Sequence, residues 1–209
     1  MDIISKLNTR YATKVFDPTK KVSDADMAKL LEAIRLSASS YGLQPYRILV
    51  VEDPKIRTEL REAAWNQPQI TDASALLVFA AKIETNANSI DEFVDLVAKT
   101  RNMPKDALSG YSDMMKGSLQ GMNQEQVETW VSKQAYIALG FGLVAAAVLD
   151  IDACPMEGFS APDFDRILDI NKLGLKSKVV MAVGYRSEED HYAHLAKVRQ
   201  KKEDLFIKF

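Results

Sequence analysis

The sequence predicts an α+β fold: one mixed central sheet flanked by helices. Three observations carry this prediction. Apolar, strand-like runs at residues 46–52, 73–82 and 178–185 are separated by longer stretches with helical spacing. Strands and helices do not alternate in the regular βαβ rhythm of a doubly wound parallel sheet. Between residues 135 and 149 almost nothing is polar, and a helix apolar on every side has to be buried. That run is shorter than the roughly 20 residues needed to span a bilayer, so it reads as a central core helix.

Taken in order, Asp2 is placed to cap a short helix with Ile3, Ile4 and Leu7 on one face. Residues 10–16 look strand-like, and Asp17-Pro18-Thr19 is a turn. Ser23 caps a helix whose Met27, Leu30, Leu31 and Ile34 keep helical spacing. A loop rich in small hydroxyl residues, 37–45, precedes the strand at 46–52. A helix from about residue 54 to 65 breaks at Asn66-Gln67-Pro68-Gln69, before the buried strand 73–82. Residues 90–120 read as amphipathic helix interrupted near Pro104 and Gly110, an insertion or lid packed outside the core. The central helix then delivers a compact turn, residues 154–159. Ser160-Ala161-Pro162 opens another helix, with proline where its missing N–H costs nothing. A strand at 178–185 leads to a charged tail and a terminal apolar strand, 205–209. Such a strand needs a partner edge, and a second subunit supplies one.

Composition excludes several classes. A chain of 209 residues fits one domain, with 47% hydrophobic and 27% charged residues. A net charge of −2 argues against a nucleic-acid protein held by counterion release. One cysteine rules out an internal disulfide framework, and the first residues lack the apolar core of a signal peptide, so a cytoplasmic protein is expected. His191 and His194, the only histidines, lie in a charged region without a cysteine pair, so no metal site is expected. Cys154 has no histidine nearby and reads as a small buried residue. Gly140-Phe141-Gly142-Leu143-Val144-Ala145 matches the dinucleotide fingerprint G-x-G-x-x-A. That motif needs a strand before it and a helix opening after it, whereas the flanks here read as continuous helix. Close helix–helix approach explains the glycines better. A Rossmann-type dehydrogenase and a non-catalytic helical interaction protein remain as rival classes.

Arg10, Lys14, Lys197 and Arg199 form two basic clusters at opposite ends of the chain, each beside an apolar segment. A fold that joins them can hold a phosphate, since Arg gives forked hydrogen bonds and Lys a point charge. Ser39, Ser40, Asn66 and Gln69 add neutral groups suited to a polyol and a ring edge.

Taken together these stretches resemble the FMN-dependent, NAD(P)H-utilising nitroreductases over essentially the whole chain. The carriers are residues 10–16 (Arg-Tyr-Ala-Thr-Lys-Val-Phe), 38–46, Asn66 with Gln69, the Pro-x-Glu-Gly-Phe turn at 155–159, and Lys197-x-Arg199. The resemblance implies an intertwined homodimer with the C-terminal strand pairing to the partner subunit and two FMN sites at the interface. It implies that Arg10, Lys197 and Arg199 hold the phosphate, that Lys14 lies near N1/O2 of the flavin, and that Asn66 and Gln69 meet its pyrimidine edge. Ser39 and Ser40 would come from the other subunit. Glu157 and Gly158 would offer backbone N–H groups near N5 and O4. Tyr11, Ala12, Ala38, Pro155 and Met156 complete the implied cofactor-binding set. NAD(P)H would pass hydride to the flavin and leave, and a nitroaromatic, quinone or related acceptor would take the electrons in the same pocket, with no side chain as obligatory acid or base. Four positions depart from the family pattern: Ala12 for serine, Ala38 for proline, Tyr46 for tryptophan, and Gln69 where some members carry lysine.

Overall fold

Side-chain caps fix where the longer helices begin in the computed structural model, which describes residues 2–209. Asp2 accepts the Ile4 and Ser5 N–H groups at the start of α1 (Ile3–Thr9), and Ser23 accepts Asp26 N–H at the start of α2 (Asp24–Arg35). Asp53 caps α3 (Pro54–Glu62), with proline at its first turn. Asn123 and Gln126 cap each other's backbone at the head of the 25-residue α7 (Gln124–Val148). Shorter helices α4 (Gln69–Asp72) and α8 (Ala161–Ile167) fill the connections.

Four strands form the sheet in the order β1 (Tyr46–Val51), β2 (Ala75–Lys82), β4 (Leu175–Gly184), β3 (Asp152–Met156). The central β2 and β4 are covered on both faces, which is why they read as continuous apolar runs. Leu77, Phe79, Met181 and Val183 point into a core with α2 and α7 (Leu30, Ile34, Ala135, Ala138). Their alternating neighbours Leu76, Val78, Val180 and Ala182 meet Leu60, Ile70 and Phe164 of α3, α4 and α8. The sheet is thus the middle layer between two sets of helices.

The α+β class is as predicted, with differences of detail. The three ladders are antiparallel, and the one parallel pairing among the described residues is the isolated Ala12–Ala153 bridge. Residues 10–16 do not form the expected strand, because the Asp190 carboxylate takes the Lys14 and Val15 N–H groups that a ladder would use. Of the expected turn, residues 154–159, the first three belong instead to the edge strand β3 (152–156). Pro155 suits an edge, since its missing N–H leaves no central ladder broken. Residues 205–209 join no strand of this chain: α9 (Lys202–Leu205) is a single helical turn, and Phe206, Ile207 and Phe209 are exposed.

α7 runs unbroken through Gly140 and Gly142, which removes the strand–turn–helix context the dinucleotide fingerprint requires. Only Gly142 makes a close contact: a Cβ there would lie 3.2 Å from the Ile34 side chain of α2, whereas one at Gly140 would meet nothing within 4 Å. At 25 residues the helix exceeds the apolar run and is long enough to cross a membrane by length and composition. Yet Val131, Ala135, Ala138 and Ala146 are packed in the protein interior. A second stripe, Tyr136, Ile137 and Phe141, is about 40% exposed. The predicted amphipathic segment is a pair, α5 (Ala87–Arg101) and α6 (Ser109–Gln120), with its own small core of Ile90, Val94, Leu108 and Met115. The two helices part over residues 102–108, around the expected Pro104, with Asn102 in the left-handed conformation; Gly110 lies inside α6.

Candidate functional site

The two basic clusters, nearly 190 residues apart in sequence, meet. Arg10, Lys14, Lys197 and Arg199 line one cavity of about 600 Å³ together with Tyr11, Ala12 and Arg186. Lys197 stitches the chain ends, its ammonium donating to Leu7 O at 2.7 Å and to Arg10 O. Burial, then the charge of Arg199, lowers the pKa of the Arg10 guanidinium; burial, then Arg10 and Arg199, lowers that of Lys197. None of the four cations forms an ion pair with a carboxylate of the described residues. Like charges gathered without a counter-charge mark an anion site.

Asp190 does not line this pocket but holds three residues that do, Tyr11, Lys14 and Tyr192. It is fully buried and accepts from Lys14 N–H (2.8 Å), Tyr11 Oη (2.9 Å), Val15 N–H (3.1 Å) and Tyr192 N–H (3.1 Å). Burial pushes its pKa up, but these donors outweigh burial and hold it below the ordinary carboxylate value. Arg186, bound by Asp152, lies 4.6 Å above the Tyr11 ring. Because the folded-state pKa of Asp190 is depressed, its contribution to stability is present above about pH 4, the unfolded value, and is lost as pH falls through the folded one. Asp190→Ala therefore lowers the neutral-pH melting temperature and flattens the acid limb of the stability curve, which thermal melts from pH 7 down to 3 will show.

A second constellation forms at the end of β3. The Gly158 carbonyl accepts from Gln67 Nε2 at 2.7 Å, and a Cβ on Gly158 would sit 2.6 Å from Cζ3 of Trp65. Trp65 and Asn66 are both left-handed (φ 52° and 59°), a tight corner that sets this loop on the turn. The N–H groups of Glu157 and Gly158 find no acceptor among the described residues, whereas Phe159 N–H is bound to Glu157 O at 2.9 Å. The Glu157 carboxylate accepts from Tyr136 Oη of α7. Gly158→Ala forces Trp65 off the turn, at a cost of about 1–3 kcal/mol, the usual range for overpacking. Tryptophan fluorescence and a denaturant titration will report both effects.

Gln69 is buried, and its Oε1 has no hydrogen-bond partner; the Thr13 hydroxyl is also buried and unpartnered. Ser39, Ser40 and Ala38 do not line the basic pocket. Ser40 N–H donates to Gln134 Oε1 of α7 at 2.8 Å, and Ser39 Oγ accepts Gln44 N–H of its own loop at 3.0 Å. Burial, against the pull of Lys14 and Arg10, pushes the Cys154 thiol up, so it is a packed side chain and not a thiolate. No group of three or more metal-ligating side chains occurs among the described residues. A larger cavity of about 900 Å³ lies along α7, lined by Glu128, Lys133, Tyr136 and Lys178; its Lys178 is already neutralised by Glu128 at 2.5 Å. The smaller pocket, whose four cations have no carboxylate partner, is therefore the candidate anion site.

Asp190, Arg186, Gln67, Trp65 and Tyr136 escape the sequence reading. Asp190 follows two glutamates and looks like any surface acid, and Gln67 was visible only as part of a loop.

The fold and site define an α+β protein with an anion pocket made from both chain ends and a glycine turn at the end of an edge strand. Residues 7–185 match the model of the Nitroreductase family, and the chain belongs to that family, a family of oxidoreductases. It is 39% identical over 198 residues to "Putative NAD(P)H nitroreductase YfkO" of Bacillus subtilis, covering 88% of each chain. A Staphylococcus haemolyticus relative with a name of the same kind is 35% identical, covering 97% of this chain and 95% of its own. An Exiguobacterium sibiricum structure solved in complex with FMN superposes with a TM-score of 0.86 at 18% identity, covering 100% of this chain and 98% of that one.

Proposed function

We propose that residues 1–209 form a single FMN-binding domain that works as a homodimer and reduces nitroaromatics, quinones or related acceptors with NAD(P)H. The observation that carries the reading is the cluster of Arg10, Lys197 and Arg199, which has no carboxylate to neutralise it. FMN fits the residues present. A phosphate matches the three cations, the free Glu157 and Gly158 N–H groups match acceptors on a ring edge, and the buried, unpartnered Gln69 Oε1 matches a ring N–H.

When bound, FMN supplies the capacity to accept hydride from NAD(P)H and hand it to a second substrate. The protein's share is binding and electrostatics. Arg10, Lys197 and Arg199 anchor the phosphate, while Asp190, through its bonds to Lys14 and Val15 N–H, fixes the strand-like segment that carries Lys14. Lys14 places positive charge where negative charge grows on reduction. Asn66 and Gln69 read the pyrimidine edge, and the 157–158 turn presents its backbone. Tyr11, Ala12, Pro155 and Met156 shape the walls. Ala38, Ser39 and Ser40, which lie outside this chain's own pocket, reach the partner's site across an interface built on the exposed α7 stripe and sealed by residues 205–209. Long-lived exposed apolar stripes are unusual on monomers. The cytoplasm, with its nicotinamide pool, is the compartment that suits this chemistry.

Because donor and acceptor use one pocket in turn, kinetics should be ping-pong. Initial rates varied in both NAD(P)H and a quinone should give parallel double-reciprocal lines, and sedimentation should give a dimer. Intersecting lines would reject the shared pocket, and a monomer would reject the two-chain site.

A further inference from the structure

Tyr136 stands on α7, 21 residues before the turn it touches, and no feature of the turn's own sequence announces it. Its hydroxyl donates to Glu157 Oε1 and lies 3.5 Å from Lys178 O of β4. We propose that Tyr136 is a positioning residue: it clamps the Glu157 carboxylate against α7 so that the backbone N–H groups of Glu157 and Gly158 stay turned toward the cofactor. This rests on the FMN reading above.

The turn needs such a clamp. On one side Gly158 is pressed against Trp65, and its carbonyl is held by Gln67. Behind it, Phe159 is buried against Phe164, ring centroids 4.4 Å apart. Glu157 is the remaining free corner: it is exposed, it forms no ion pair, and Tyr136 is the sole side chain bonded to its carboxylate among the described residues. A carboxylate at this corner could otherwise swing toward the electron-rich reduced cofactor, where a second negative charge is unfavourable. The phenol suits the task because it remains protonated at physiological pH. Burial, then its bond to Glu157 and that group's charge, pushes the Tyr136 pKa up to about 12. Tyr136 also belongs to the same exposed stripe of α7 as Ile137 and Phe141. The helix proposed to carry the partner subunit therefore also carries the clamp, so subunit docking and turn geometry share one rigid element.

The test is a double-mutant cycle on FMN binding with Tyr136→Phe, Glu157→Ala and the pair, read by quenching of flavin fluorescence. Tyr136→Phe should weaken FMN binding about tenfold, the scale of one hydrogen bond to a charged group. The double variant should be no weaker than the worse single variant, since both changes break one contact. Hydrogen exchange on the FMN-free protein supplies the independent readout: Tyr136→Phe should speed exchange at Phe159 and Ser160, whose N–H groups are bound at 2.9 and 2.8 Å. Unchanged exchange together with unchanged FMN affinity, or losses that simply multiply in the double variant, overturns the clamp. If wild type takes up no FMN while exchange still accelerates in Tyr136→Phe, the FMN reading fails and the clamp on the turn stands.

Discussion

Replacing Arg10 and Arg199 together with alanine should leave a folded protein that does not retain FMN. On the proposed reading each guanidinium supplies charge-assisted hydrogen bonds to the phosphate, so each single alanine should weaken binding roughly 10- to 100-fold. Removing both should cost about a thousandfold or more, and equilibrium dialysis with FMN will measure it. Stability of the cofactor-free protein moves the other way. The two guanidiniums repel across the pocket, a second cause after burial of the lowered Arg10 pKa. Their loss should leave the melting temperature unchanged or raised. Added salt should weaken FMN binding in wild type, since the pocket opens to solvent, and weaken it less in the double variant.

Arg57→Met has the largest expected effect on stability. Arg57 is 4% exposed and donates to three main-chain carbonyls: Ile70 (2.7 Å), Ala73 (2.7 Å) and Ser74 (3.1 Å). Burial pulls its pKa down, but its guanidinium remains the donor for three carbonyls that have no other donor among the described residues. Methionine fills similar volume yet leaves those carbonyls unsatisfied. The loss should be about 3–5 kcal/mol, large against a usual total of 5–15 kcal/mol. For a chain of this length that is a fall of roughly 6–20 °C in melting temperature. The same segment carries Gln69 and adjoins the 65–67 corner, so FMN retention should fall with it, unlike in the arginine pair, where only binding is lost. Thermal melts of the two variants side by side will separate the effects.

The longer elements were readable because their signals are local. Capping residues such as Asp2 and Ser23 and the apolar runs of β2 and β4 mark helices and buried strands without reference to distant parts of the chain. What could not be read depends on partners far away in sequence. The 10–16 segment has strand composition, yet Asp190, 175 or more residues on, takes its N–H groups. β3 hides in a proline-containing stretch that becomes a strand only because β4 offers it an edge. Residues 205–209 have the composition of a strand but no partner edge in this chain. Site legibility divides along the same line. Charge type and spacing exposed the cations at both ends, and the structure joins them. Tyr136, Gln67 and Asp190 act through contacts across 21, 91 and more than 170 residues, and no short pattern announces them.

The central claim is that the unpaired cations and the glycine turn hold FMN. The most direct test is the visible absorption spectrum of the purified protein supplied with FMN and then freed of excess, with the released cofactor identified by mass. The account predicts a yellow protein carrying about one FMN per chain. A colourless protein that takes up no flavin would contradict it.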